Sequence, residues 1–386
     1  MALVLLVGSG LMIRTFQALR RVDPGFARPQ EVETFRVSIP ATQTPEAERV
    51  IRIEEAILRR VQALAGVSAV GMVDGLPMDR ASNHPLYADD HAASDGSLPP
   101  IRRFKMVSPG YVSAMGSRLI AGRDLTWAET YNEAAVALIS ENLAREWWND
   151  PRAAIGKRIR TTLNDDWREV VGVVEDLRDD GMDQKAPAIV YWPLWQKNWA
   201  GPGYVIRSVA FVVRTPRAAS ASLRRELVQA VEGANGSLAV ADVKTLETVY
   251  DRSLARASFT AALLALAGGM SLLLGIVGIY GVMAYSVSQR NREIGIRLAM
   301  GATFGDVTGL FVRHGLAVAG AGAACGLAAA LVLTQLMKSL LFEVSASDPL
   351  TYVGVSAVLL VAAALASYLP ARRATQIDPV EAMRAE

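Results

Sequence analysis

Hydrophobic and polar positions follow two unlike patterns along this chain. From Ala257 onward they form long apolar runs, while before it they recur on the short periods of strands and amphipathic helices. Three runs hold no Asp, Glu, Lys or Arg: Ala257–Gln289 with 33 residues, His314–Met337 with 24 and Pro349–Ala371 with 23. A helix needs about 20 apolar residues to cross the hydrocarbon core. Each run therefore predicts a transmembrane helix, at residues 258–288, 314–337 and 350–370. The first run is over-long. At about 1.5 Å per residue it reaches roughly 50 Å, which predicts that part of it projects as a stalk toward the soluble part of the chain.

Residues 1–13, MALVLLVGSGLMI, form a fourth and shorter apolar run. It has neither the basic start nor the A-x-A cleavage signal of a secretory leader. It reads as the remnant of a first transmembrane helix, the outer end of a span that begins outside this sequence. An ordinary buried segment is the bland alternative at this length.

Between these apolar parts the periods change. Residues 31–39 alternate as a strand through Val32, Thr34, Phe35, Val37 and Ile39. Thr44 and Pro45 then suit an N-cap and first turn. Val50, Ile53, Ile57, Val61 and Leu64 mark one helix face, Gly66 ends it, and residues 67–73 read as a second strand. The same β-α-β pattern recurs as a strand at 210–214, a Thr215-Pro216 cap, a helix through Leu223, Leu227 and Val231, and a strand at 238–243. We read two related βαβ halves forming one subdomain. Between them lies an inserted subdomain with strands near 135–139 and 169–174 and a helix at 141–148. Residues 81–100 are rich in Asp, Ser and Pro and predict a mobile loop.

Charge sharpens this division. Residues 257–386 hold eight Lys/Arg and seven Asp/Glu, and the other 32 and 31 lie in residues 1–256. The net charge of +2 gives no basic face for nucleic acid. A single cysteine, Cys325, excludes an internal disulfide. Short-loop arginines set the orientation. Arg290, Arg292, Arg297 and Arg313 flank one loop and Arg372, Arg373 and Arg384 mark the tail, against one Lys in 338–348. The loop 289–313 and the tail 371–386 are therefore expected in the cytoplasm, and residues 14–256 outside it.

Catalytic motifs are missing from this sequence. It carries no G-x-x-x-x-G-K-[ST] phosphate loop, G-x-S-x-G elbow, H-E-x-x-H or C-x-x-C. We therefore expect a non-enzyme that holds no cofactor and no metal. His84 and His91 share a stretch with Asp89, Asp90 and Asp95, but the spacing fits solvated loop residues better than a metal site. Trp147, Trp148, Trp192, Trp195 and Trp199 could form an apolar partner surface, although core packing is the favoured reading.

The most informative segment is Arg290–Asp306, RNREIGIRLAMGATFGD. Glu293 and Arg297 form an i,i+4 pair. Ile294 and Leu298 share a face, with Ile296 and Met300 nearby. Gly301 can end that helix, and Thr303 with Asp306 forms a capping box for the next. Such a surface helix either docks a cytoplasmic partner or lies in the lipid interface. The spans hold small residues instead of charge: Gly268, Gly269, Gly275, Gly278 and Gly281 in one, Gly322 and Gly326 in the next. These allow close helix packing.

Ordered motifs then carry a resemblance. They are Arg21–Phe26 (RVDPGF), Val107–Tyr111 (VSPGY), Ala121–Asp124 (AGRD), Ile155–Ile159 (IGKRI) and Val170–Val174 (VVGVV). Later come Val277–Val282 (VGIYGV), Arg292–Arg297 (REIGIR) with Gly301-Ala302, and Leu369–Ala374 (LPARRA) with Asp378-Pro379. The chain resembles the FtsX-like, MacB-like ABC transporter permease family, in its acidobacterial duplicated orphan permease branch. It departs from that pattern at its start, where most of the first span is absent.

The resemblance implies an α+β extracytoplasmic domain on a transmembrane α-helical bundle. Residues 14–256 would form a MacB-like periplasmic core domain, with a porter-like part at 24–104 and 205–250 and an insert at 105–204. Residues 257–386 would form an FtsX-like permease domain in the bacterial inner membrane. It also implies a homo- or heterodimer and a separate ATPase subunit docking on Glu293, Ile294, Arg297, Leu298 and Gly301. ATP-driven motion would then reach the periplasmic domain and drive export. Activation of a periplasmic enzyme or signalling partner without transport is the alternative, and a membrane-anchored enzyme a third class.

Overall fold

A computed structural model describes residues 2–79, 82–91, 98–195, 205–290, 293, 296, 300 and 303–374. The chain divides into two compact units, residues 22–254 and residues 1–21 with 255–386.

The first unit carries twelve strands among the described residues. They are β1 Val32–Ser38, β2 Ala69–Val73, β3 Ser82–Pro85, β4 Tyr87–Ala88, β5 Ile101–Val107, β6 Leu119–Gly122, β7 Val136–Ser140, β8 Arg158–Arg160, β9 Arg168–Val174, β10 Ile189–Pro193, β11 Ser208–Arg214 and β12 Ala241–Thr245. All belong to one sheet. Its path runs β12-β1-β11-β2-β5-β10-β7-β9-β8-β4, with β3 beside β5 and β6 beside β9.

The expected βαβ halves are interleaved. The second helix of the chain, Ala47–Gln62, joins β1 to β2, and the helix Ala221–Ala234 joins β11 to β12. Strand β11 lies antiparallel between β1 and β2, while β12 pairs with the free side of β1. This is the split βαβ arrangement. Sequence alternation sorts β11 between two cores. Phe211 and Val213 face the helix-covered side, and Ala210 and Val212 face the other. Phe35 and Phe211 stack at 4.7 Å between ring centres across the β1–β11 pair.

The insert extends this sheet instead of standing apart. Strand β5 continues from β2 through the pair Val73 and Val107. The Met72 and Ser108 backbones close the join, with the Ser108 Oγ accepting from the Met72 amide at 2.8 Å. Residues 141–148 form the expected helix, and Trp148 Nε1 donates to Asp90.

Three local expectations are corrected. The helix after β1 starts at Ala47 with Glu46 at its N-cap position, and Thr44 lies outside it. The carbonyls of Thr44 and Pro45 instead accept from Arg207. The later helix is capped by Ser220, whose Oγ accepts from the Leu223 amide, while Thr215 caps only the turn at Arg217. Finally, residues 82–85 and 87–88 of the expected mobile loop pair with β5 and β8, and residues 80–81 and 92–97 lie outside the described residues.

The second unit is helical. In chain order the helices are α1 Ala2–Leu19, α2 Ala47–Gln62, α3 Tyr111–Met115, α4 Trp127–Tyr131, α5 Glu141–Trp148, α6 Ala221–Ala234, α7 Leu246–Gln289, α8 Phe304–Leu336 and α9 Pro349–Ala374. Of these α1, α8, α9 and most of α7 build this unit. Four helices, at Ala2–Leu19, Ala257–Gln289, Thr308–Leu336 and Pro349–Arg373, are long and apolar enough to cross a membrane. The first continues past the apolar stub of residues 1–13 to Leu19, and Arg14 within it is paired, its Nη1 donating to Asp348. Leu3, Val7 and Leu11 of α1 pack on Ala323 and Ala330 of α8 and Tyr352 of α9.

Candidate functional site

Three features of the helical unit bear on function: the over-long helix, the segment after it and the glycines between helices. Helix α7 is unbroken for 44 residues, about 66 Å at 1.5 Å per residue. It starts directly at the end of β12, where the Thr245 hydroxyl accepts from the Thr248 amide at 3.2 Å. Leu246 and Val249 at its start are buried in the second core of the sheet domain. The helix thus begins 11 residues before the apolar run at Ala257, because apolar content alone does not mark a helix start.

Beyond Gln289 the chain reaches the segment expected to dock a partner. Glu293 and Ile296 are helical and exposed, and Met300 is 83% exposed. The Met300 amide donates to the Ile296 carbonyl at 3.0 Å. Ile294, Arg297, Leu298 and Gly301 lie outside the described residues. The capping box is present as the spacing predicts. Thr303 Oγ1 donates to Asp306 at 2.6 Å, and the Asp306 amide donates back to Thr303. These bonds hold the Asp306 carboxyl below its usual range. Helix α8 starts there, so residues 304–313 of the expected loop are helical and continuous with the span.

The seven glycines expected to pack helices divide. A Cβ at Gly268 would stand 3.2 Å from Leu6 Cδ2 of α1, while one at Gly269 would meet nothing within 4 Å among the described residues. A Cβ at Gly326 would stand 3.1 Å from Leu3 Cβ, so α1 and α8 meet there. Among the described residues nothing lies within 4 Å of a Cβ at Gly275, Gly278, Gly281 or Gly322. Those four face away from the helices of their own chain. The sequence reading missed two further glycines that bring helices together. A Cβ at Gly10 would meet Thr351 Cγ2 at 2.7 Å, and one at Gly315 would meet Ser367 Oγ at 2.1 Å. No spacing motif marks them, since each is opposed by a small residue far away in sequence.

The periplasmic-type unit holds buried charge, but in pairs. Arg103 and Lys105 of β5 both reach Asp179, at 2.5 and 2.7 Å. Lys105 also donates to the Gly75 carbonyl at 2.9 Å. Burial pushes the nearby Asp74 carboxyl up, against the opposing pull of Lys105. This cluster sits where β2 passes to β5 and holds that join together. Glu54 on α2 is different: among the described residues neither carboxyl oxygen has a hydrogen-bond partner. Burial pushes its pKa well up, with Arg207 offsetting only part.

The other sequence candidates resolve into packing. Trp192 is fully buried in the main core, edge-on to Phe104 at 5.3 Å. Trp147, Trp148 and Trp195 pack partly buried against that core. Trp199 and Asp95 lie outside the described residues. His84 stacks on Phe104 and bonds Ser82, while His91 bonds Asp90. No group of three His, Cys, Asp or Glu side chains suited to a metal is found among the described residues.

A mixed α/β domain in one chain with four helices long and apolar enough to cross a membrane is the make-up of a multi-pass membrane protein. Residues 4–244 match the MacB-like periplasmic core domain, and residues 265–379 match the FtsX-like permease C-terminal domain. The first match spans more than half of the chain, so the chain belongs to this MacB-like, FtsX-like permease family. It is a multi-pass permease-family protein of the inner membrane, with its large domain in the periplasm.

Named relatives agree. The macrolide export ATP-binding/permease protein MacB of Chromobacterium violaceum is 36% identical over 126 residues, 32% of this chain and 19% of that protein. The pyoverdine export ATP-binding/permease protein PvdT of Pseudomonas fluorescens strain Pf0-1 is 25% identical over 371 residues, 87% of this chain and 54% of that protein. The chain spans about half the length, or less, of these curated relatives. The crystal structure of the periplasmic region of MacB from Actinobacillus actinomycetemcomitans aligns with a TM-score of 0.38 at 14% identity, covering 61% of this chain and 97% of that one.

Proposed function

We propose that this chain is a permease subunit that transmits ATP-driven motion from a separate cytoplasmic ATPase to its periplasmic domain, and so drives efflux or export. The observation that carries this reading is the unbroken helix α7. It is seated in the sheet domain by Leu246 and Val249 and runs without interruption to Gln289, next to the cytoplasmic segment 290–306. A continuous helix with no proline curves only gently and resists sharp kinking, so displacement at one end is passed toward the other. The exposed Glu293, Ile296 and Met300 support a docking role for the segment. In this reading ATP is bound by the partner and the chain itself catalyses nothing.

The open glycine positions on α7 support a second permease as a neighbour in the bilayer. Close approach through small residues is the main way membrane helices gain packing contacts. Gly275, Gly278 and Gly281 are available for it, since among the described residues nothing lies within 4 Å of a Cβ at any of them.

Co-purification tests the docking role. The pair Glu293→Lys and Leu298→Asp is expected to abolish retention of the ATPase while leaving the permease in the membrane. Undiminished retention would sink the docking assignment. Hydrolysis of a periplasmic-type substrate by the purified chain alone would overturn the non-catalytic part.

A further inference from the structure

Helices α1 and α9 meet at Gly10 and Thr351 and leave an open groove of about 520 Å³ around that contact. This is the size of a small-molecule site, about 300–1,000 Å³. Its chemistry is segregated along its length. Leu6 and Val358 give it apolar walls, and Arg14 with Gln17 stands at one end. Among the described residues a Cβ at Gly354 would meet nothing within 4 Å, so none of them fills the groove above it.

The polar end holds an ion pair whose arginine keeps donors to spare. Arg14 gives its Nη1 to Asp348 and remains 40% exposed. Gln17 lies one turn further along α1, and Asp348, which both Arg14 and Thr351 bond, is the carboxylate beside the groove. That end faces the periplasmic interface, because α1 leads there into the periplasmic domain. Donors at the interface above an apolar channel complement one kind of molecule: a phosphate headgroup with a hydrocarbon tail below it. A soluble anion would leave the apolar walls unused. A hydrocarbon alone would leave the arginine without an acceptor for its remaining N–H groups.

We propose that this groove binds a glycerophospholipid of the periplasmic leaflet, its phosphate on Arg14 and Gln17 and one acyl chain between Leu6, Gly354 and Val358. This assignment stands apart from the ATPase reading, and its test contains no ATPase.

The full chain is reconstituted in phosphatidylethanolamine vesicles with a trace of phosphatidylethanolamine carrying a photoreactive acyl terminus. Labelled residues are mapped by mass spectrometry. Labelling is expected to concentrate on Leu6, Gly354 and Val358 over the exposed Val332 and Leu336 of α8. Gly354→Leu, which fills open space, should cut groove labelling roughly tenfold, the scale of a few excluded methylenes, without changing the α8 signal. Val358→Trp fills the same space from an exposed position and should act alike if Gly354→Leu does not fold. Arg14→Gln should weaken labelling by the phospholipid probe and leave a diacylglycerol probe unaffected. Even labelling of groove and α8, or no response to either filling variant, would overturn the proposal. So would an interchain disulfide through Gly354→Cys, which would show a second copy in the groove.

Discussion

Gly326 of α8 lies directly under Leu3 of α1, so near that a Cβ at Gly326 would stand 3.1 Å from the Leu3 Cβ. Leu3 is buried there with Val7 and Leu11. A larger side chain must push the two helices apart. Gly326→Leu is expected to destabilise the helical unit by about 1–3 kcal/mol. Gly320→Leu, where a Cβ meets nothing within 4 Å, is the matched control. Thermal melting of both variants in detergent checks this, and equal midpoints would refute the packing.

Glu54 makes stability depend on pH. Its pKa in the folded state lies well above 4.5, with burial as the cause. The folded chain therefore binds more protons than the unfolded chain between these two values. Stability is full below the unfolded pKa and declines as pH rises above it. Each unit of elevation corresponds to about 1.4 kcal/mol. Glu54→Gln should flatten the fall in melting temperature between pH 5 and pH 8, and an unchanged slope would count against the burial argument.

Asp165 is the opposite case. Burial acts to raise its pKa, but Arg168 and Thr161 outweigh burial and lower it. Its stabilising contribution is present above the ordinary value near 3.8 and is lost as pH falls through the lowered one. Both side chains of the Arg168–Asp165 pair are 3% exposed. Arg168→Met strands a buried carboxylate and should cost about 3–5 kcal/mol. Arg52→Ala, in the exposed pair with Glu48, should cost under about 1 kcal/mol. Urea titration of the two variants separates these values.

Ser220 caps α6 through the Leu223 amide. Ser220→Ala is expected to cost about 0.5–2 kcal/mol, read as a lower urea midpoint with an unchanged slope.

The stiffness of α7 is tested by breaking it. Ala262 is exposed within the helix. Ala262→Pro removes a backbone hydrogen bond there and costs about 3 kcal/mol locally. With permease and ATPase reconstituted together, ATP-driven export should fall by about tenfold or more, while proteolysis of the periplasmic domain stays as in the wild type. Undiminished export would show that motion does not pass along this helix.

Much of this molecule is local in origin, and that part is legible residue by residue. Three of the four spans follow from uncharged length alone, because a bilayer admits nothing else of that kind. The α5 helix, the capping box at Thr303 and Asp306, and the apolar faces of α2 and α6 also depend only on neighbours a few residues apart. Misreadings arose where two local signals compete. Thr44-Pro45 and Thr215-Pro216 look like caps, yet the helices start later, since Arg207 takes the carbonyls of one pair and a turn at Arg217 uses the other.

What only the tertiary structure decided depends on residues distant in sequence. The interleaving of the βαβ halves places β11 between β1 and β2 across more than 130 residues. The continuation of the sheet into the insert rests on one backbone join at Val73 and Val107. The choice of glycines is of the same kind. Gly10, Gly315 and Gly326 press on other helices and Gly275, Gly278, Gly281 and Gly322 do not, although all read alike in sequence. A glycine offers room for close approach, but whether a helix fills that room is decided by the partner's path through space.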